Sequence, residues 1–272
     1  KMGIEDIILS PELTLPMARD IGGSVIVYGR IPLMLTRNCP VKNKLTCTEC
    51  GKVYELGEDG FMKAKELVDA GKIGELFFVE SEYAHDYQFL KPLWRKDPVN
   101  LRYSIIGGGC HAIDLLRWIA GNPERVMALA NRKVLTDWPV DDCTIAVMQF
   151  PNGVVGKVYC GIGVKRNYTM RTCIYGTKGT LIFSNYGREI TLYKASPEGF
   201  GYTVPHRIPT IPISHNMFAE IKDFIDAVVQ GKNPPISPLE GASTVAVACA
   251  TVKSAQTGKP VKIKWAPIWL FG

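Results

Sequence analysis

The feature that most restricts the fold of this chain is a succession of six short apolar segments between residues 125 and 193. Arg125 to Asn131, Asp142 to Phe150, Val154 to Gly161, Tyr168 to Tyr175, Thr180 to Ser184 and Ile190 to Tyr193 are rich in β-branched and aromatic residues, which is strand chemistry. Pro151-Asn152-Gly153 and Thr177-Lys178-Gly179 are turn signals between them. Connections this short join antiparallel neighbours. Leu76 to Ala84 alternates as a further strand, and Val261 to Trp265 reads as a last one.

Helical periods surround this run. Met62, Leu67 and Val68 belong to a short helix ended by Gly71, and Cys110 to Ala120 forms a helix ended by Gly121 with Pro123 beyond it. Phe218, Ile221, Ile225 and Val228 share one face of a helix from about Asn216 to Val229, after a Pro-rich loop from Val204 to Ile213. Leu239 to Gln256 is the last helix. The predicted class is α+β: a mainly antiparallel, open-faced sheet with helices on one face. Val147 and Val155 then mark the uncovered face as apolar, which predicts a homo-oligomer joined through it.

The first fifty residues differ. Ile4 to Leu9, a helix opened by Pro11-Glu12-Leu13 behind Ser10, and Ser24 to Tyr28 read as a short βαβ segment. The expected organisation is a βαβ and Cys-containing segment over 1–52, a polar junction over 53–61 and a substrate and oligomerisation domain over 62–272. Two halves of such different character suggest a fusion.

Composition excludes several classes. The chain has 272 residues, 46% hydrophobic and 21% charged, which suits an ordinary globular protein. Its +6 charge is spread along the chain without a block of like charges, so neither a nucleic-acid partner nor a membrane surface is expected. No apolar run spans a bilayer, and Lys1 to Asp6 lacks the layout of a signal peptide. Eight cysteines are too few for a disulfide scaffold, and Cys110, Cys143, Cys160, Cys173 and Cys249 read as small buried hydrophobes in a reducing cytoplasm.

The chemistry concentrates in Ser104-Ile-Ile-Gly-Gly-Gly-Cys-His-Ala-Ile-Asp114. Three glycines let backbone approach a ligand closely, and the helix behind them presents N–H groups that suit a carboxylate or oxyanion. His111 and Asp114, three residues apart, share a helix face. Opposed influences of helix dipole and carboxylate suit the histidine to general base work. The alternative is structural: His111 as a helix-start residue and Asp114 as partner of Arg117 or of a backbone N–H. Trp94, Arg95 and Arg102 precede Gly108 and Gly109 as candidate pocket residues, an Arg for bidentate binding and a Trp for stacking on a sugar face. The alternative for them is solvated Arg and core Trp. His215, before the Asn216 helix, is a candidate against a capping role, and His85 with Asp86 closes a strand as another.

This string is also where the chain resembles a known family. Lys63-Ala-Lys-Glu-Leu67, Gly71-Lys-Ile-Gly-Glu75, Gly107-Gly-Gly-Cys-His-Ala-Ile-Asp-Leu-Leu-Arg-Trp118, Tyr175-Gly-Thr-Lys-Gly-Thr-Leu181, Phe218-Ala-Glu-Ile-Lys-Asp-Phe224 and Ser237-Pro-Leu-Glu-Gly-Ala242 are similar to the C-terminal domain of the Gfo/Idh/MocA oxidoreductases. The resemblance implies NAD(P)-linked hydride transfer on a sugar, polyol or related small molecule, with the open sheet as subunit interface. It implies that His111 is the catalytic histidine and Asp114 the acidic residue after it. Many members carry an Asp where this chain has Gly107. The family's dinucleotide-binding half is missing: Gly22-Gly23 makes no G-x-G-x-x-G between a strand and a helix. A module that binds small molecules and assembles, without catalysis, is the competing function.

Leu9-Ser-Pro-Glu-Leu-Thr14, Val27-Tyr-Gly-Arg-Ile-Pro-Leu-Met34 and Arg37-Asn-Cys-Pro40 resemble a fragment of the bacterial collagenase-like peptidases. That resemblance implies Cys39, Cys47 and Cys50 as ligands of zinc or an iron–sulfur cluster. Cys47-Thr-Glu-Cys50 has ligand spacing, but only three cysteines are local, and free thiols are the preferred reading.

Overall fold

The computed structural model describes residues 8–9, 24–25, 59–89, 96–99, 102–196, 204–211, 217–233 and 236–265. The chain divides into two units, Lys1–Tyr54 and Glu55–Gly272. In the first, β1 (Ile8–Leu9) pairs in parallel with β2 (Ser24–Val25). The helix expected between them lies outside the described residues, so the βαβ reading is not established. Cys39, Cys47 and Cys50 lie outside them too.

The second unit is built on one sheet of nine strands among the described residues. In chain order these are β3 (Leu76–Ala84), β4 (Arg125–Asn131), β5 (Cys143–Gln149), β6 (Val155–Gly161), β7 (Arg171–Gly176), β8 (Gly179–Ser184), β9 (Glu189–Lys194), β10 (His206–Pro209) and β11 (Val261–Lys262). Their spatial order is β10-β9-β8-β7-β3-β6-β5-β4-β11, open at both ends. Every pairing is antiparallel except β3 with β6, where Phe78 to Ala84 run alongside Val155 to Gly161. The hairpins follow from their turns, but β3 enters the sheet between β6 and β7, a long-range pairing that no local signal encodes.

Strand β10 corrects the reading of Val204 to Ile213 as loop. Its Pro209 lacks an N–H, but the strand stands at the sheet edge, where one side of the ladder needs no donor.

Five helices are described: α1 (Gly60–Asp69), α2 (Ser104–Gly107), α3 (Gly109–Ala120), α4 (Met217–Val229) and α5 (Pro238–Thr257). Asp59 caps α1 by accepting the Phe61 N–H at 2.8 Å. Ser237 caps α5 by accepting the Glu240 N–H at 3.3 Å, and Gly258 ends it in the left-handed region at φ 66°. Helix α3 lies on β3 and β6, α5 lies on β4 and on α3, and α1 meets β8 and β9.

The core fills the layer between these helices and one sheet face. Leu116, Ile113 and Ile105 share one core with Val126, Ala146, Val158, Ile174, Leu181 and Val247, all almost fully buried. Arg117 is buried with them and joins α3 to α5. Its Nε donates to Asn122 Oδ1 at 2.9 Å, Nη1 to Glu240 O at 3.0 Å and Thr244 Oγ1 at 2.6 Å, and Nη2 to Glu240 Oε2 at 2.8 Å. A buried guanidinium needs its donors satisfied in this way. Asp142, also buried, accepts the N–H groups of Lys133, Val134 and Leu135 at 3.1, 2.7 and 2.6 Å, which fixes the loop between β4 and β5.

Two expectations about burial fail. Cys160 and Cys173 are buried, but Cys110 and Cys143 are only half-buried and Cys249 is exposed on the outer side of α5. Helix α4 forms, yet Ile221, Ile225 and Val228 of its apolar stripe are exposed.

Candidate functional site

The site forms where β3 ends beside the start of α3. Backbone bonds carry β3 past its last strand residue: His85 N–H donates to Gly161 O at 2.8 Å, and Tyr87 N–H donates to Ile162 O at 2.7 Å. This holds Tyr83, His85 and Tyr87 at one end of the sheet. The first turn of α3 brings His111 to the same place, exposed on one side.

The rings form a continuous cluster. Tyr83 lies nearly parallel to His111, with centroids 5.9 Å apart, and to His85 at 6.3 Å. Tyr168 is 5.2 Å from both Tyr83 and His85, and Tyr87 is 5.0 Å from His85. Trp138, from the loop that Asp142 fixes, lies 6.0 Å from Tyr87, and Tyr186 lies 6.1 Å from Tyr168. The Tyr83 and Tyr87 hydroxyls are 2.7 Å apart in a buried hydrogen bond.

Electrostatics keep the phenols neutral. Burial first, and then the Tyr87 hydrogen bond, raise the Tyr83 phenol far above its ordinary value. Burial and the neighbouring Tyr186 push Tyr168 up to about 12. Burial also raises the Cys110 thiol against the lowering effect of Arg102, so it is held as a thiol. Two ring nitrogens, His85 Nδ1 and Trp138 Nε1, are buried without a hydrogen-bond partner among the described residues. Each costs about 1–3 kcal/mol if left so, which makes both natural donors or acceptors for a bound molecule.

The glycine triplet does different work from that expected of it. The space a side chain would need is already taken by this chain: a Cβ on Gly107 would fall 2.8 Å from Arg102 Nε, and one on Gly109 would fall 2.6 Å from Ile105 Cδ1. At Gly108 it would fall 2.7 Å from Tyr83 Cζ. The helix also starts differently, since α2 leads into Gly108 and the Gly108 N–H donates to Ser104 O at 2.9 Å.

Asp114 shows the contacts of the structural alternative. Its Oδ1 accepts from Arg117 Nη1 at 3.3 Å and from the Thr244 hydroxyl. Arg102 lies against Gly107, one residue from the ring cluster's glycine. Trp94, Arg95 and His215 lie outside the described residues. Sequence reasoning missed Tyr83, Tyr87, Tyr168 and Trp138. The spacing Tyr83-Ala-His85-Asp-Tyr87 was the available signal, since alternate residues of a strand share one face.

Among the described residues no group of three or more His, Cys, Asp or Glu is arranged to hold a metal. The one parallel pair of the nine-stranded sheet, β3 with β6, is not joined by the Gly-rich strand-to-helix turn of a dinucleotide-binding unit. No described helix is long and apolar enough to cross a membrane.

An open antiparallel sheet, covered by helices on one face and bearing a histidine at a helix start beside an aromatic wall, defines the class of domain. Residues 61–182 match the family model of the GFO/IDH/MocA C-terminal domain. Over 222 residues the chain is 25% identical to myo-inositol 2-dehydrogenase of Thermotoga maritima, covering 75% of this chain and 61% of that protein. It is 27% identical over 244 residues to levoglucosan dehydrogenase of Pseudarthrobacter phenanthrenivorans, covering 71% of this chain and 60% of the relative. The chain thus spans about three fifths of the length of these curated relatives. A levoglucosan dehydrogenase solved in complex with NADH shares the fold at a TM-score of 0.60 and 22% identity, over 75% of this chain and 62% of that one. The likeness of the first segment to collagenase-like peptidases finds no support in these comparisons.

Proposed function

We propose that the second unit is the substrate-binding and assembly domain of a nicotinamide-linked oxidoreductase of the Gfo/Idh/MocA type, acting on a sugar, polyol or related molecule. The observation that carries this is the ring cluster beside the exposed His111, whose His85 Nδ1 and Trp138 Nε1 have no hydrogen-bond partner among the described residues. Aromatic faces suit the C–H faces of a sugar ring, and phenols held neutral donate to its hydroxyls. The relatives named for inositol and levoglucosan support the same substrate class.

In this reading His111 exchanges a proton with a substrate hydroxyl, since imidazole is the side chain suited to that near neutral pH. Asp114 secures the start of α3 through Arg117 and Thr244 and so holds His111 in place. Gly108 and Gly109 act indirectly, by leaving room for Tyr83 and for Ile105 and Cys160, and Arg102 packs on Gly107. Hydride transfer belongs to a dinucleotide-binding part for which the described residues offer no site.

Calorimetric titration of the chain with myo-inositol and with levoglucosan tests the reading. Binding is expected, weakened at least about tenfold by His111→Ala. Absence of binding to either, or binding indifferent to His111→Ala, would overturn it. Fluorescence titration with NADH and NADPH separates the enzyme from a non-catalytic binding module: the module binds polyol and neither nucleotide.

The homo-oligomer reading rests on Met127, Leu129, Ile145, Val147 and Val155, exposed together on the open sheet face. Light scattering is expected to give a mass above that of one chain.

A further inference from the structure

The geometry points to Tyr83 as the positioning residue of this site: its ring backs the imidazole of His111 and ties it to His85, so that His111 meets a ligand in one orientation. This rests on the reading of His111 as the residue that exchanges a proton.

Three observations carry it. The Tyr83 ring is within 24° of parallel to His111 and within 16° of parallel to His85, at 5.9 and 6.3 Å. One phenol ring therefore relates the two histidines, which come from different elements. The ring is itself held: Tyr83 is 7% exposed, and its hydroxyl bonds that of Tyr87 at 2.7 Å. Its place exists only because residue 108 is glycine, for a Cβ there would overlap the ring, 2.7 Å from Cζ and 2.9 Å from Cδ1. Backbone conformation does not demand glycine, because Gly108 has φ −133°. The glycine keeps room for Tyr83.

A side chain on α3 that is exposed on one side has several rotamers open to it. Packing one face of the imidazole against a fixed ring removes most of them. That is what an acid/base residue needs, since proton exchange requires hydrogen-bond reach in a defined direction.

The test uses the full chain labelled with 13C-histidine. Its four histidines make the NMR assignment tractable, and exposed His206 serves as the internal reference. In the wild type, His111 and His85 are expected to be displaced together by the Tyr83 ring current. Tyr83→Phe keeps the ring and keeps the displacement. Tyr83→Leu loses it at His111 and changes it only in part at His85, where the Tyr87 and Tyr168 rings lie nearer, and myo-inositol binding weakens about tenfold while Tyr83→Phe stays within about threefold. Gly108→Ala, which pushes the ring aside without removing it, is expected to shift the His111 signal too. Adding Tyr83→Leu to Gly108→Ala relieves the overlap, so the pair is non-additive in stability.

An unchanged His111 signal in both Tyr83→Leu and Gly108→Ala would overturn the proposal. So would wild-type affinity in Tyr83→Leu when His111→Ala has lost it, a result that leaves the functional reading intact. If His111→Ala binds as the wild type does, the functional reading fails and this inference falls with it. The NMR arm reads the ring's position without ligand, and so decides the contact whichever polyol binds.

Discussion

The two faces of the nine-stranded sheet are made by alternate residues of the same strands, and they solve different problems. Toward the helices, Val126, Ala128, Ala146, Met148, Val158 and Cys160 are no more than 2% exposed. On the other face their neighbours Met127, Leu129, Ile145, Val147 and Val155 are 41–65% exposed. A strand with one wet face should alternate apolar with polar. Strands β4 and β5 are apolar on both, so their outer residues are not explained by one copy of the fold.

The outer face is also uneven. At its centre Glu80 pairs with Lys157 and, at 3.5 Å, with Arg171, while Glu82 meets Arg166 at 3.1 Å and Arg171 at 3.8 Å. A polar network bordered on one side by the apolar outer residues of β4 and β5 gives any association on this face a preferred register, because unpaired charges would be costly in other alignments. Among the described residues the inner-face strands carry no ion pair of this kind, and their buried Ser81 and Thr172 hydroxyls bond each other at 3.0 Å. The inner face needs uniform packing, and the outer face needs selectivity.

The largest expected effect breaks the inner face. Phe150 is 1% exposed and fills the space over Gly156, so Phe150→Ala should cost about 3–5 kcal/mol in urea unfolding. Met127→Ala on the outer face should cost less than about 1 kcal/mol at a protein concentration low enough to suppress association. Equal costs would erase the distinction between the faces. Next comes the clamp over the inner layer: Arg117→Met removes the buried donors that join α3 to Glu240 and Thr244 of α5 and should cost about 2–4 kcal/mol. Glu240→Gln, at a side chain 57% exposed, should cost less than about 1 kcal/mol in the same measurement.

How much of this was readable in the sequence depends on how local the cause is. Strands β3 and β4 occupy the residues expected, and β5, β6 and α3 lie within a residue of expectation. Periodicity and turns are encoded in neighbouring residues. The insertion of β3 between β6 and β7 depends on contacts about eighty to a hundred residues apart and has no local signature. The same holds at the site. His111 stood out from its own surroundings, but Tyr83 and Tyr168 join it only through sheet pairing. Gly108 was legible as a close approach, while what approaches it, the ring of Tyr83, was not.

A smaller effect probes the outer network by pH. Burial alone would raise the Glu80 carboxyl, but the bond and charge of Lys157, with Cys173 and Arg171, outweigh it and leave its value below the ordinary 4.5. A carboxyl lowered in the folded state contributes stability that is fully present above its unfolded value and is lost as pH falls through its folded value. The stability gap between wild type and Glu80→Gln, read from urea midpoints, should therefore be widest near neutral pH and close as the pH drops below 4.5. A gap that does not change with acid would show that the network does not hold Glu80 ionised.

The smallest expected change in folding stability is the sharpest test of what the outer face is for. Ile145 and Val147 are 41% and 47% exposed, and replacing both by Thr keeps β-branched side chains of strong strand preference. Folding stability of the dilute chain should move by about 0.5 kcal/mol or less per site. Association responds differently, because each hydroxyl placed in an apolar contact must be desolvated in both copies of a symmetric interface. Sedimentation equilibrium should thus show a weaker oligomer with the double variant although the monomer is nearly as stable. If the wild type sediments as one chain at every concentration, the homo-oligomer reading of the outer face fails. If the variant loses folding stability on the scale of Phe150→Ala, the outer face belongs to the core and the contrast between the faces is gone.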